Sequence, residues 1–484
     1  MLKFIQKEID NFDERAFLRL LRIFCGIALV IIVYAAVFCG LQVVDEFEHL
    51  HASWLVSIGK VPYRDFFEHH NPLLWYLSAP IVSLFFDHAY IFYVMRACSF
   101  LISLLTAVYL YKIALFIGDK KSGWLAVALF LGDNITFYNF YQFRPDVFMN
   151  FCFVAGIYYL FCGLNTKQIK NYTYSFLCFV FSALFLQKIA ILLILVEVVL
   201  VVLLITKRVS IKALLLAVLP AIFVLLLFFI YLYQQGIILE YFALNYQFNQ
   251  ALVAYFERGS FLYNDIFISI YGVALLVAIL FFKKNNIYFK ILSTIYVAEF
   301  MMRRFYFAPH PNYYAFLVMG SALILSSLAP KIMPNYKKIS ILCVFALFLN
   351  LGYQFNHLDA TIEKHNSFKH FQMVDFVHKN SYDKDIIMNG YDMNFNIYRP
   401  DASYYWFGLD MLLPVMQQEF KLGYDIDVND LVLKYQPRFI YVKNYPDLRA
   451  FRTYGEIKNF QVFSADILKN NYILTPFEYL VVKK

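Results

Sequence analysis

Residues 20–43 read LLRIFCGIALVIIVYAAVFCGLQV, and the acidic pair Asp45-Glu46 comes almost directly after. The run holds a single charge, Arg22, near its start. About 20 apolar residues are what an α-helix needs to cross ~30 Å of hydrocarbon. The run is therefore read as a membrane span that ends at a carboxylate-rich interface.

The rest of the chain repeats the signal. Further apolar runs occupy about 89–117, 123–142, 147–164, 174–187, 189–206, 213–233, 264–282, 289–302, 313–330 and 339–354, which makes eleven spans. Of the 484 residues, 61% are hydrophobic and 16% charged. An ordinary soluble domain has roughly 45–50% and about 25%. Mean hydropathy is +0.58. These values exclude a soluble enzyme, a disordered scaffold and a disulfide framework. The 54 Phe and 39 Tyr suit a protein with many membrane interfaces. All seven cysteines fall in apolar segments, and no cleavable-signal pattern is seen.

Loop charge sets the expected orientation. Residues 355–484 carry a net charge of −1 and residues 1–354 carry +9, so the basic excess sits in the apolar part. Nucleic acid is not implied as a partner. The N-terminal arm, residues 1–19, holds Lys3, Lys7, Arg15 and Arg19 and should be cytoplasmic. Five basic loops then share its side: Asp119-Lys120-Lys121, Lys167 to Lys170, Lys207-Arg208 with Lys212, Lys283-Lys284 with Lys290, and Lys331 to Lys338. The parity holds only if the short apolar run 72–86 lies in or dips into the outer leaflet without spanning. Residues 44–88 are then one outer loop. Residues 20–354 form the transmembrane domain.

Residues 355–484 differ in kind. Short strand-like runs, Asp385 to Gly390 and Pro437 to Val442, alternate with helical patterns such as His370 to His378. That reads as an extracytoplasmic α/β domain. The fold class is thus a polytopic α-helical membrane protein of about 11 helices with a C-terminal α/β appendage.

Chemistry concentrates in the outer loop. Asp45, Glu46, Glu48, Asp65, Glu68 and Asp87 are six of the 18 acids in residues 1–354. A partly desolvated carboxylate can act as a general base; equally, Asp45-Glu46 can simply end a helix in water. The stretch Tyr141-Gln142-Phe143-Arg144-Pro145-Asp146 places Asp146 on the same side, where Pro145 and an acid are also ordinary helix-start residues. Lys188, Arg303 and Arg304 are outer-side cations suited to an anionic headgroup, although such side chains also snorkel. His49, His51, His69, His70 and His310 lie on that side too. Glu48 and His51, three apart on a helix, are a candidate metal pair without a compact ligand motif. Glu197 and Glu299 lie within spans, where an acid is either functional or hydrogen-bonded to a neighbouring helix.

In order and spacing these features resemble the GT-C superfamily of integral-membrane glycosyltransferases. The closest likeness is to the protein-mannosyltransferase, lipid A aminoarabinose-transferase and Rgt-type galacturonosyltransferase group. The matching pieces are Asp45-Glu46, Gly59 to Glu68, His69-His70-Asn71-Pro72-Leu73-Leu74-Trp75-Tyr76, Arg96, Asp146 and Lys188. The likeness covers roughly residues 40–200 and is looser at Tyr306 to Tyr313, where Pro309-His310-Pro311 departs from the family pattern.

The resemblance implies an inverting transferase at the outer face of the bacterial inner membrane. A sugar would move from a polyprenyl-phosphate donor to an envelope glycan, lipid or protein acceptor, as in lipopolysaccharide modification. It implies Asp45 as the base, Glu46, Glu68, His69 and Asp146 as acceptor or sugar contacts, and Lys188, Arg303, Arg304 and His310 at the donor phosphate. No cofactor is required by that chemistry, and a divalent metal is left open. The competing readings are an O-antigen polymerase or ligase, which would lean on outer arginines and histidines, and a lipid-linked saccharide transporter, which would favour repeats and midplane polar sites.

Overall fold

The computed structural model describes residues 12–40, 43–255, 270–306, 314–330, 336–389, 395–406, 415–417, 420, 426–442, 463–477 and 480–484. It is a polytopic membrane protein. Among the described residues, six helices are long and apolar enough to cross a bilayer: Glu14–Phe38, Ile91–Ile117, Pro145–Thr166, Gln187–Ile205, Ile211–Gln235 and Lys337–Lys364. Each matches an expected span. Compactness groups the chain across the boundaries drawn from hydropathy. One unit is Met1–Cys39, Ala97–Leu227 and Arg258–His365; the other is Gly40–Arg96, Phe228–Glu257 and Asn366–Lys484.

In the first unit, Asp13 caps the opening helix by accepting from the Ala16 amide at 2.7 Å. The expected span 123–142 is not one helix. It is Lys120–Leu131 followed by Asn134–Asn139. Asp133 breaks it by capping the second piece, accepting from Ile135 N at 2.8 Å, and it also accepts from the Tyr271 hydroxyl at 2.7 Å. The break frees the Gly132 carbonyl, which the Asn350 amide satisfies at 2.6 Å. A broken helix in an apolar setting persists only where such partners replace the lost ladder bonds. Hydropathy averages over this break, because the residues on both sides are equally apolar.

The second unit corrects the sequence reading at its start. The opening helix of the chain ends at Phe38, and Asp45-Glu46 lie in the first turn of a separate helix, Val43–Ser57. That helix packs on Leu73–Leu84, where Ser53 and Ser78 hydroxyls meet at 2.7 Å and Trp75 is fully buried. The second of these helices has 12 residues and contains Pro80. At 1.5 Å per residue it rises about 18 Å, too short to span.

The C-terminal segment of this unit holds a four-stranded sheet in the order β1-β2-β4-β3. The strands are β1 Ile387–Asn389, β2 Phe439–Tyr441, β3 Tyr472–Leu474 and β4 Leu480–Lys483. β1 and β2 run parallel with Ile387 opposite Phe439; β4 is antiparallel to both β2 and β3. Helix Ser367–Lys379 flanks β1 in sequence. The two strands and the helix picked out in sequence are all present. This segment grips the helices 43–57 and 73–84. Tyr398 donates to the Val82 and Phe85 carbonyls at 3.0 and 2.9 Å, Trp406 Nε1 donates to Phe67 O at 3.0 Å, and Arg399 pairs with Asp87 at 2.8 Å.

Beside Arg399, burial pushes the His378 imidazole down to about 3, with the guanidinium adding to the effect. An unfolded histidine titrates near 6.5, so the folded chain favours the neutral ring. The stability this contributes is present above about pH 6.5 and is lost as pH falls towards 3, at roughly 1.4 kcal/mol per unit. Thermal melts from pH 7.5 to 4.5 should show a falling melting temperature that His378→Phe flattens. An equal slope in the variant would remove His378 as the cause.

Candidate active site

The acidic turn Asp45-Glu46 divides into two environments. Residues one apart on a helix face different directions. Asp45 is half-buried and Glu46 is fully buried. Glu46 accepts from Arg96 Nε at 2.9 and 3.2 Å and also pairs with Arg96 Nη2. The guanidinium itself is 2% exposed and lies 4.2 Å over the Phe92 ring. Both Glu46 oxygens are therefore held by the fold, and the sugar or acceptor contact expected of this residue is not what its geometry favours. Arg96 is one of the pieces that carry the family resemblance, which gives it no role of its own. A residue in one segment gives no sign that its partner lies 50 positions away.

One turn further on, Glu48, His49 and His70 place one ligand atom each within 4.8 Å of one another. His70 Nδ1 lies 3.3 Å from Glu48 Oε1 and 3.4 Å from Glu68 Oε2. Glu68 is fully buried and accepts from the His69 amide at 3.2 Å. Burial, then the neighbouring Glu48 charge, pushes its carboxyl well above the usual carboxylate range. His69 is depressed to about 4, chiefly by burial and then by His70. Its ring meets Asn249 Oδ1 at 2.9 Å while the Asn249 amide donates to the His69 carbonyl at 2.7 Å.

The expected metal pair Glu48 and His51 does not form. His51 turns to the C-terminal segment, with Nδ1 2.9 Å from Ile397 O and Nε2 2.6 Å from Asp401 Oδ2. Both contacts are acceptors, so the ring serves as a buried tie between helix 43–57 and residues 397–401. Glu48 instead faces His70, which the 3.6-residue period could not reveal.

In the other unit, Pro145 opens helix Pro145–Thr166 with Asp146 in its first turn. Asp146 forms an ion pair with Lys188, which sits on the short turn Gln187–Ile189 before helix Ala190–Ile205. Arg144 Nε lies 3.5 Å from the second Asp146 oxygen. Asp146 also lines a cleft with Ser103, Thr106, Thr136, Asn139 and Asn150. Two cations and one carboxylate leave a net charge of +1 beside it. Arg144 has no role in the family resemblance and joins the cluster only through the fold. Arg303 and Arg304 fall in helix Ile287–Tyr306, but their side chains, and His310 altogether, lie outside the described residues. Glu299 is 3% exposed and lines a mostly apolar cleft, whereas Glu197 is exposed on its helix.

Residues 69–233 match a family model described as dolichyl-phosphate-mannose-protein mannosyltransferase. No curated protein matches the chain by sequence. Among solved structures, the fold is similar to the crystal structure of ArnT from Cupriavidus metallidurans in the apo state. The TM-score is 0.54 at 11% identity, covering 78% of this chain and 83% of that one. The family model covers less than half of the chain, and the structural likeness at this identity is one of fold.

Proposed function

We propose that the protein transfers a sugar from a polyprenyl-phosphate donor to an acceptor hydroxyl at the outer face of the membrane, with inversion. The observation that carries this reading is the division at Asp45-Glu46. One carboxylate is locked to Arg96, and its neighbour is half-buried and presented by the helix so fixed. Asp45 takes the acceptor O–H proton as that oxygen attacks the anomeric carbon. The bond from that carbon to the phosphate oxygen breaks, and polyprenyl phosphate leaves. Glu46 serves as a positioning residue. The family description, which names a dolichyl-phosphate donor, supports the choice of a lipid monophosphate. The loop-charge parity and the non-spanning helix Leu73–Leu84 support an outer location for Asp45.

Arg144 and Lys188 hold the phosphate, with Asp146 dividing its attention between them and the donor. A charge-assisted contact is worth about 1.5–3 kcal/mol, and each 1.4 kcal/mol is tenfold in affinity. Arg144→Ala and Lys188→Ala should each weaken binding of a polyprenyl monophosphate by about tenfold or more in detergent solution. Lys188→Ala/Asp146→Asn separates this from a purely structural ion pair. A structural pair predicts restored donor affinity in the double variant; phosphate binding predicts continued loss. Unchanged affinity in both single variants removes this cluster from donor binding.

A further inference from the structure

We infer that Glu48, His49 and His70, together with Glu68, form a binding site for one divalent transition-metal ion of the Zn²⁺ class. The ligand atoms of the first three converge within 4.8 Å. Around an ion with bonds of 2.0–2.2 Å, tetrahedral N and O ligands stand about 3.4 Å apart, so closure asks for side-chain rotation only. Three further observations point the same way.

The first is a count of protons. His70 Nδ1 faces carboxylate oxygens of both Glu48, at 3.3 Å, and Glu68, at 3.4 Å. One N–H serves one of them well. A cation serves both.

The second is the state of Glu68. Its side chain is fully buried, and its Oε1 meets no hydrogen-bond donor among the described residues. An acceptor sealed from water without a donor costs about 1–3 kcal/mol. Two carboxylates sharing a buried site repel each other as well. A bound dication answers both terms at once.

The third is His49, which is 1% exposed. Its Nδ1 lies 3.3 Å from the Trp75 indole Nε1, a donor. The ring is thereby neutral with Nδ1 unprotonated, as metal ligation requires, and an ion bound at Nδ1 takes the place of this long N–H···N contact.

The donor set selects the metal. Two imidazoles with carboxylate oxygens suit Zn²⁺ and its first-row neighbours, whereas Ca²⁺ and Mg²⁺ take oxygen ligands throughout. Glu48 and His49 belong to helix Val43–Ser57 and Glu68 and His70 to the loop that follows Phe67. An ion here would tie that loop to the turn that begins with Asp45, three residues before Glu48. The site stands whatever reaction the protein performs, since binding is measured without substrate.

The test uses the full chain, purified in detergent, stripped with a chelator and dialysed. Zn²⁺ titration against a competing chromophoric chelator should show one ion per chain, and Co²⁺ should give the intense visible bands of a four-coordinate N/O site. Glu48→Gln and His70→Asn should each weaken Zn²⁺ by about 10²-fold or more. His88→Ala, an exposed histidine, should leave it unchanged. If a variant fails to fold, the wild-type stoichiometry and Co²⁺ spectrum still decide. Fewer than about one ion per ten chains in the wild type, a six-coordinate Co²⁺ spectrum, or full affinity in both folded variants would overturn the site.

Discussion

Asp45→Asn is expected to lower sugar transfer by roughly 10²–10⁴-fold, the usual contribution of a general base, while expression, fold and donor affinity stay as they are. Asparagine keeps the shape of the side chain and removes only the charge that accepts the proton. Because Asp45 is half-buried, the change leaves no sealed ion behind. Single-turnover transfer and donor binding, measured on the same preparation, separate the two effects. Loss of donor affinity in step with rate would make Asp45 a binding residue. Full activity would take the helix Val43–Ser57 out of the mechanism and favour the polymerase or transporter readings.

The second large effect is one of stability. Arg96→Leu should destabilise the protein by about 3–5 kcal/mol, because it leaves the Glu46 carboxylate buried without its partner. Glu46→Gln should cost less, since the amide still offers an oxygen to the guanidinium. The double variant Glu46→Leu/Arg96→Leu should recover much of the loss, as removal of both members of a buried pair often does. Apparent melting temperatures of the four proteins test this. A double variant no better than Arg96→Leu would show that the arginine acts through its packing on Phe92 instead. The pairing also predicts that Glu46→Gln impairs transfer through a shifted Asp45, so its defect should appear in the rate more than in acceptor affinity.

The sequence made the membrane class legible because hydropathy needs only local information. A run such as Leu20 to Val43 is apolar whatever surrounds it. The same locality explains the errors. Nothing near Gly132-Asp133 signals that Asn350 and Tyr271 will satisfy a broken helix, so 123–142 reads as one span. The segment between Phe38 and Val43 contains Gly40, yet an unbroken apolar count runs past it into Asp45. In the C-terminal segment, turn signals around Asp385 to Gly390 and Pro437 to Val442 marked two strands well. β3 and β4 were not picked out, although they are at least as long as the two that were.

The site shows the same division. Residue types and order drew attention to Asp45, Glu46, Glu68, His69, Asp146 and Lys188. Their partners came only from the fold: Arg96 for Glu46, Lys188 for Asp146, His70 for Glu48, and Asp401 for His51. Each of these pairings changes what the residue is placed to do. A buried acid gripped by a guanidinium fixes its helix, and in the proposed reaction an acid beside two cations would tune how strongly they hold a phosphate.

The central claim is that the chain breaks a sugar–phosphate bond of a lipid monophosphate donor. Purified protein reconstituted in vesicles with a polyprenyl-phosphate-linked sugar, labelled in the sugar, tests it most directly. The account predicts release of polyprenyl phosphate in equal amount to glycosylated acceptor or, without acceptor, slow hydrolysis, with inverted anomeric configuration in the product. Movement of intact labelled lipid across the bilayer with no bond cleaved, or cleavage confined to diphosphate-linked oligosaccharides, would contradict it.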